Sequence, residues 1–545
     1  MAEPSPASGS INVLDDAPPA LLRSNVVVAL GTATSRLTGM LKVIVFGIVI
    51  GQTALADAYD GANNSPNAVY ELLLGGVLSA TLVPLFTRWL AEDDEESTEV
   101  VVSVGIVVLA ALTGVAVLAA PWIFRLFSLN PADGVDVGQY RSVGTALARI
   151  FLIQIFFYGL SALFGAVLNS RRRFFAVAWA PVLANLSVIV TLLYVPTLLG
   201  HEAPVIGDVV DHPALRWLLG LGATGGIALQ ALILLPAMKR AGLDLRFRFR
   251  PRHPAVRRLL VLSGWTFGYV LANQVAVIVV KNLAEPGSGG QDAYTKALTL
   301  FYFPHGLLAM SIATTFVPEM ARAVTRRDKA AFIERTSLGV RIVALATFPA
   351  AFGLLVLSRP IIGALLQHGQ FDEVAATTTT RALAGVALGL AGYSVYLFVL
   401  RGFYAHQDTR TPFVVNLFQN GLNIALAFVL VGRFDVLGLG AALAVSYVVS
   451  AAWAILVLSY KVPGFPVQSL YGGFARMLAA SAVMGGVVWL ATRPIGGDSG
   501  AGSWLRVGVG TVVGALVYLG LLVAIRAPEL AELRARLRPR SATHD

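Results

Sequence analysis

Apolar runs of roughly 18–25 residues recur along the whole chain, each long enough to cross about 30 Å of hydrocarbon as a helix. They fall near 25–50, 62–87, 100–122, 143–168, 175–199, 215–237, 256–283, 292–320, 336–358, 378–401, 411–432, 436–459, 472–492 and 504–526. The pattern predicts an all-α polytopic membrane protein with about fourteen transmembrane helices.

Composition agrees: 56% of residues are hydrophobic, 13% are charged, and the mean hydropathy is +0.72. A soluble protein carries about 25% charged residues. The polar, Pro/Ser/Ala-rich first residues and the length of the first apolar run predict no cleavable signal and a disordered segment over 1–24. With no cysteine there are no disulfides and no thiolate metal sites.

The net charge of +10 is explained by loop placement. Arg171-Arg172-Arg173, the 239–258 connection, the Arg322–Arg335 region and the C-terminal arginines lie on one side if the N-terminus is cytoplasmic, whereas the 200–214 loop carries no Lys or Arg. The positive-inside rule then puts both ends in the cytoplasm, and nucleic-acid binding is not implied. The Met238–Arg258 connection, with Arg246-Phe247-Arg248-Phe249-Arg250-Pro251-Arg252, separates six spans from eight. The expected organisation is therefore an N-lobe over 25–238, a basic linker over 239–255, a C-lobe over 256–460, a helix pair over 461–526 and an amphipathic tail over 527–545. Leu530, Leu533 and Leu537 share one face of that tail, as in a short interfacial helix.

Charge at membrane depth marks the candidate site. Arg36 and Lys42 lie inside the first apolar run, where each basic residue costs roughly 2.5–3.5 kcal/mol at the bilayer centre. Two on one helix argue for a wet cavity and an anionic passenger. In the second run Asp60, Asn64, Asn67 and Glu71 recur at helical spacing beside Pro66, a polar stripe that either lines the same cavity or bonds neighbouring helices. Lys296 and Thr299 precede Phe303-Pro304, and Lys296 either enters the cavity or snorkels to an interface. Arg149 and Arg341 read as interfacial. Asn416, Asn420 and Asn423 share a face that fits helix packing or ligand contact. Gly220-Leu221-Gly222-Ala223-Thr224-Gly225 matches GxGxxG but lies inside an apolar run with no preceding strand, so close helix packing is the expected role. With no Walker A sequence and no HExxH, the chain reads as a transporter with no tightly bound cofactor, driven by the membrane potential or an ion gradient.

Several segments resemble a known family, the MurJ/MviN lipid II flippases of the MOP transporter superfamily. They are Ser35-Arg36-Leu37-Thr38-Gly39-Met40-Leu41-Lys42, Ala56-Asp57-Ala58-Tyr59, Ser65-Pro66-Asn67, Gly75-Gly76-Val77-Leu78-Ser79, Ala180-Pro181, Phe303-Pro304-His305-Gly306, Gln367-His368-Gly369-Gln370-Phe371, and Arg401 through Pro412. The resemblance implies a MATE-like fold of two six-helix lobes around a cationic cavity, with a C-terminal helix pair forming a groove for a lipid tail. It implies that Ser35, Arg36, Lys42 and Asp57 stand at functional positions. It also implies lipid II as cargo, a bacterial inner membrane, and cell wall synthesis and division proteins as partners. Tyr70 and Thr299 occupy positions where the family has arginines, with Glu71 adjacent to the first and Lys296 one turn before the second. The alternatives are a MOP-type flippase of another lipid-linked oligosaccharide and a MATE-type drug exporter.

Overall fold

A computed structural model describes residues 19–70, 82–200, 204–242, 246–257 and 264–526. Glu71, the Gly75–Ser79 segment and the 527–545 tail lie outside the described residues, as does the side chain of Tyr70. All described secondary structure is helical. The opening helix runs Pro19–Ile50, so residues 19–24, expected as disordered, form its first turns ahead of the candidate span Val27–Ile50.

Aspartates placed just before helices start several of them. Asp94, Asp136, Asp328 and Asp372 each accept the backbone N–H three residues on, at 2.8–3.0 Å. Such a cap satisfies one of the four N–H groups that a helix start leaves open.

Among the described residues ten helices are long and apolar enough to span a membrane, or eleven if the bent pair Glu373–Ala387 and Gly389–Ala405 is one span. The expected count of fourteen is not reached for identifiable reasons. Residues 71–81 of the second expected span and 258–263 of the seventh lie outside the described residues, which leaves of the seventh the shorter apolar helix Gly268–Leu283. The eleventh and twelfth merge into Arg410–Lys461, 52 residues with non-helical backbone at Asp435 (φ 53°, ψ −137°). At about 1.5 Å per residue a straight helix of that length would far exceed the membrane. Instead its ends meet, because Lys461 Nζ lies 2.5 Å from Asp408 Oδ2 just before the first turn, so the element is a hairpin of two antiparallel spans.

Two apolar cores fill the N-lobe, one around Phe124, Tyr140 and Phe151 and one around Phe86, Trp89 and Phe164. Two more fill the C-lobe, and the larger includes Met477, Met484, Tyr518 and Leu522 from the last two helices, Val467–Thr492 and Gly500–Ala524. The terminal pair therefore packs on the C-lobe. The GxGxxG-like stretch sits in Pro213–Leu232 as a packing surface: a Cβ on Gly222 would fall 2.4 Å from Thr191 and one on Gly226 2.9 Å from the Ala184 carbonyl.

Candidate functional site: the cavity between the lobes

The second helix, Ala54–Tyr70, carries its charges at one end of the bundle, where the lobes are joined. Asp57 is fully buried there and accepts three backbone N–H groups from the opposite lobe, Gly287 at 2.9 Å, Gly289 at 2.8 Å and Asp292 at 2.9 Å. These donors belong to the start of helix Gly290–Pro304, which has no side-chain cap of its own. An anion from one lobe thus caps a helix of the other. Among the described residues Asp57 forms no ion pair, and both of its oxygens are occupied by N–H donors.

One turn on, Asp60 pairs with Lys281 and accepts the Thr295 hydroxyl at 3.1 Å, while Asn64 donates to its other oxygen at 3.0 Å. Gln291 donates to the carbonyls of Phe127 and Lys281, both at 2.9 Å, and Asn282 accepts the Leu129 N–H at 2.6 Å. The Ala132 N–H donates to the Pro286 carbonyl at 3.0 Å, and the Gln370 N–H to the Ile48 carbonyl at 2.9 Å. These bonds form a clasp at the end of the bundle opposite the basic connections.

Behind the clasp lies a cavity of about 210 Å³ lined by Lys42, Phe46, Asp60, Asn63, Asp292 and Lys296, with Thr299 and Gln154 on its wall. Lys296 is 2% exposed, pairs with Asp292 one turn earlier and lies 5.2 Å from the Phe46 ring centroid and 5.3 Å from that of Phe371. It enters the cavity and does not snorkel. Lys42 has no carboxylate partner among the described residues. Neither has Arg36, whose guanidinium rests against Gly306 in the π-helical turn His305–Ala309, where a Cβ would sit 2.1 Å from Nη1. The cavity lining carries two lysines, Lys42 and Lys296, and two aspartates, Asp60 and Asp292, with Lys281 paired to Asp60 at the rim and Arg36 on the opening helix outside the lining.

Other expected residues play other parts. Ser35 contributes its carbonyl to Asn185 at 3.1 Å, Asn67 bonds its own helix at the Asn63 carbonyl, and Asn64 supports Asp60, so the amide stripe braces the helix and does not line the cavity. Asn416 and Asn420 both donate to Asn273 within the C-lobe, at 2.9 and 2.8 Å. Arg341 donates to Ser469 at 2.8 Å. Lys281, Asp292, Gln291 and Asn63 were missed. Asp292 stands four residues before Lys296 and Lys281 lies in an apolar run, and both signals were present in the chain.

Two helical lobes clasped at one end around a cavity that holds Lys42 and Lys296 have the fold of a MOP-superfamily transporter. The inward-facing conformation of a multidrug resistance MATE family transporter of the MOP superfamily aligns with a TM-score of 0.66 at 14% identity, over 82% of this chain and 99% of that one. A structure of lipid II flippase MurJ in the inward closed conformation aligns with a TM-score of 0.75 at 22% identity, over 93% and 100%. The family model described as lipid II flippase MurJ matches residues 47–509, and the chain belongs to that family. Its relatives include the probable lipid II flippase MurJ of Rhizobium meliloti (strain 1021), 29% identical over 481 residues and 86% of each protein. That of Vibrio cholerae is 26% identical over 538 residues, 94% of this chain and 97% of the relative.

Proposed function

We propose that this protein flips lipid II from the inner to the outer leaflet of a bacterial cytoplasmic membrane by alternating access of its two lobes. The observation that carries the reading is the pair of basic side chains on the opening helix, Arg36 and Lys42, that no carboxylate neutralises among the described residues. A diphosphate headgroup needs such cations in a site screened from bulk water, and guanidinium and ammonium donors make charge-assisted bonds to phosphate oxygens. The isoprenoid stays in lipid, along the terminal helix pair. Asp57 and Asp60 hold the clasped state and release it when the cavity opens at that end. A cation exporter would need free carboxylates, and here Asp60 and Asp292 are committed to Lys281 and Lys296.

The basic connections favour cytoplasmic termini, which makes the clasp extracytoplasmic and the conformation inward-facing. The membrane potential or an ion gradient supplies the drive, and enzymes of cell wall synthesis and division consume the product. The test is exposure of the lipid II headgroup at the outer leaflet in cells depleted of the protein. Wild type restores exposure, and Arg36→Ala and Lys42→Ala at equal membrane abundance fall by roughly ten- to a hundredfold, the worth of one charge-assisted contact. Full exposure without the protein overturns lipid II as cargo. Undiminished flipping by Arg36→Ala overturns the role of that cation.

A further inference from the structure

A second concentration of positive charge lies at the clasped end of the N-lobe, on its outer surface. Arg125 ends the helix Ala120–Leu126, Arg141 and Arg149 lie on Val137–Phe151, and Arg216 lies in the first turn of Pro213–Leu232. The four line one shallow groove of about 610 Å³ with Pro121 and Thr145, and no carboxylate lines it. Among the described residues none of the four forms an ion pair, although Arg171, Arg248 and Arg250 at the other end are paired with glutamates. Four guanidiniums around one groove repel one another unless an anion sits among them.

Arg141 shows that the groove is built and not a loose fringe. Its Nη2 donates to the Ser128 carbonyl at 2.6 Å, and its Nε is buried with no partner in the protein. The depth of the groove is marked by two indoles, Trp122 at 70% exposure beside Pro121 and Trp217 at 50% beside Arg216. Exposed indoles of a membrane protein sit at headgroup level. Toward the bilayer centre the surface turns apolar: Ile153 is one turn beyond Arg149 and Leu221 one turn beyond Trp217, both exposed. Cations at headgroup depth above an apolar face match a lipid, with phosphate at one end and acyl chains at the other. These basic residues also stand on the side that the positive-inside rule leaves poor in Lys and Arg, so topology does not account for them.

We propose that this groove binds an anionic glycerophospholipid of the leaflet at the clasped end, its phosphate held by Arg125, Arg149 and Arg216 and oriented by Arg141. The site is separate from the inter-lobe cavity and stands whatever the cargo is. Occupancy would brace three N-lobe elements at the end where the lobes join.

The test titrates a fluorescent phosphatidylglycerol, and in parallel a fluorescent phosphatidylcholine, into the delipidated full-length protein in nonionic detergent. The variant is Arg125→Gln/Arg149→Gln/Arg216→Gln, which leaves the Arg141–Ser128 bond in place, with Arg149→Gln alone as the milder change should the triple variant fail to fold. Wild type prefers phosphatidylglycerol, the triple variant binds it on the order of a hundredfold more weakly, the single variant several-fold more weakly, and phosphatidylcholine is unaffected. Equal phosphatidylglycerol affinity in wild type and the folded variants overturns the proposal. So does displacement of the lipid by inorganic diphosphate at equal potency, which would make the groove a site for a soluble anion.

Discussion

The two sets of charge within the membrane-spanning helices differ above all in partnership. At the clasp Asp57, Asp60, Lys281, Asp292 and Lys296 all have ion-pair or hydrogen-bond partners within the protein, and Asp57 and Asp60 reach theirs across the lobe boundary. On the opening helix Arg36 and Lys42, both half-buried, have no carboxylate partner among the described residues. Partnered charges fix a conformation, since removing one partner strands the other in low dielectric. Unpartnered cations gain nothing from the fold, and their value lies in an anion that comes and goes. Under the proposed function the difference separates groups that set the conformational equilibrium from groups that handle cargo, and it makes stability the measurement on which the two sets part.

The largest effect belongs to Lys281. Its side chain is 6% exposed and faces Asp60, itself 12% exposed, across the lobe boundary. Lys281→Met leaves that carboxylate uncompensated and costs about 3–5 kcal/mol, read as thermal unfolding of the purified protein in detergent. Lys281→Met combined with Asp60→Asn recovers most of the loss. A single variant as stable as wild type would remove this pair from the clasp.

Asp57→Asn comes next. The amide keeps one acceptor oxygen but loses the charge and turns two N–H donors toward the Gly287, Gly289 and Asp292 donors, a loss of about 2–3 kcal/mol from the clasped state. Because the native chain lacks cysteine, the lobe boundary can be read directly with Ala132→Cys and Pro286→Cys, which sit where backbone bonds join the lobes. A short bifunctional thiol reagent bridges the pair in the parent and bridges it at least several-fold less in the Asp57→Asn background. Unchanged bridging would mean that Asp57 does not hold the lobes together.

Much of this was legible in the chain. The apolar runs located the spans that the described residues show, and charges within them pointed to the cavity through Lys42 and Lys296, because hydrocarbon tolerates a charge only where something wet or oppositely charged receives it. Partnership was not legible, since it depends on which helices meet. Asp60 finds Lys281 across 221 residues and Asp57 finds its donors across 230–235. The polar stripe of the second helix was visible, yet helical spacing did not tell that Asn63 would face the cavity while Asn64 and Asn67 turned to their own helix. The hairpin at Asp435 was hidden from the structural count but present in the sequence as two runs.

A smaller effect comes from a paired charge outside the membrane. Burial raises the Asp408 pKa, but bonds from Lys461, the Thr411 hydroxyl and the Thr411 N–H outweigh it and hold the carboxyl at about 2, below the ordinary 3.8. A depressed carboxylate contributes stability in full above the unfolded value and loses it as pH falls through the folded one. The Asp408–Lys461 contact that closes the helix hairpin therefore weakens between pH 4 and 2, by ~1 kcal/mol once solvent screening of the half-exposed lysine is allowed for. Asp408→Asn removes that part of the acid sensitivity, as seen in acid titration followed by thermal unfolding. An unchanged acid profile would show that the contact contributes nothing to the hairpin.

Lys42→Met has the smallest expected effect on stability and opposes the clasp in sign. Lys42 faces the cavity with no carboxylate to strand, so an apolar side chain of similar length removes a desolvation cost and leaves stability unchanged or raised by about 0.5–1 kcal/mol, well below the full bilayer-centre penalty because the cavity is polar. Transport falls although the protein is no less stable. Lys42→Met and Lys281→Met thus replace the same ammonium by the same thioether within one cavity wall and rim, and only the second loses its fold energy. If both lose several kcal/mol, Lys42 has a structural partner and the distinction between partnered and unpartnered charge fails. If neither loses stability but both lose transport, the clasp carries cargo as well as conformation.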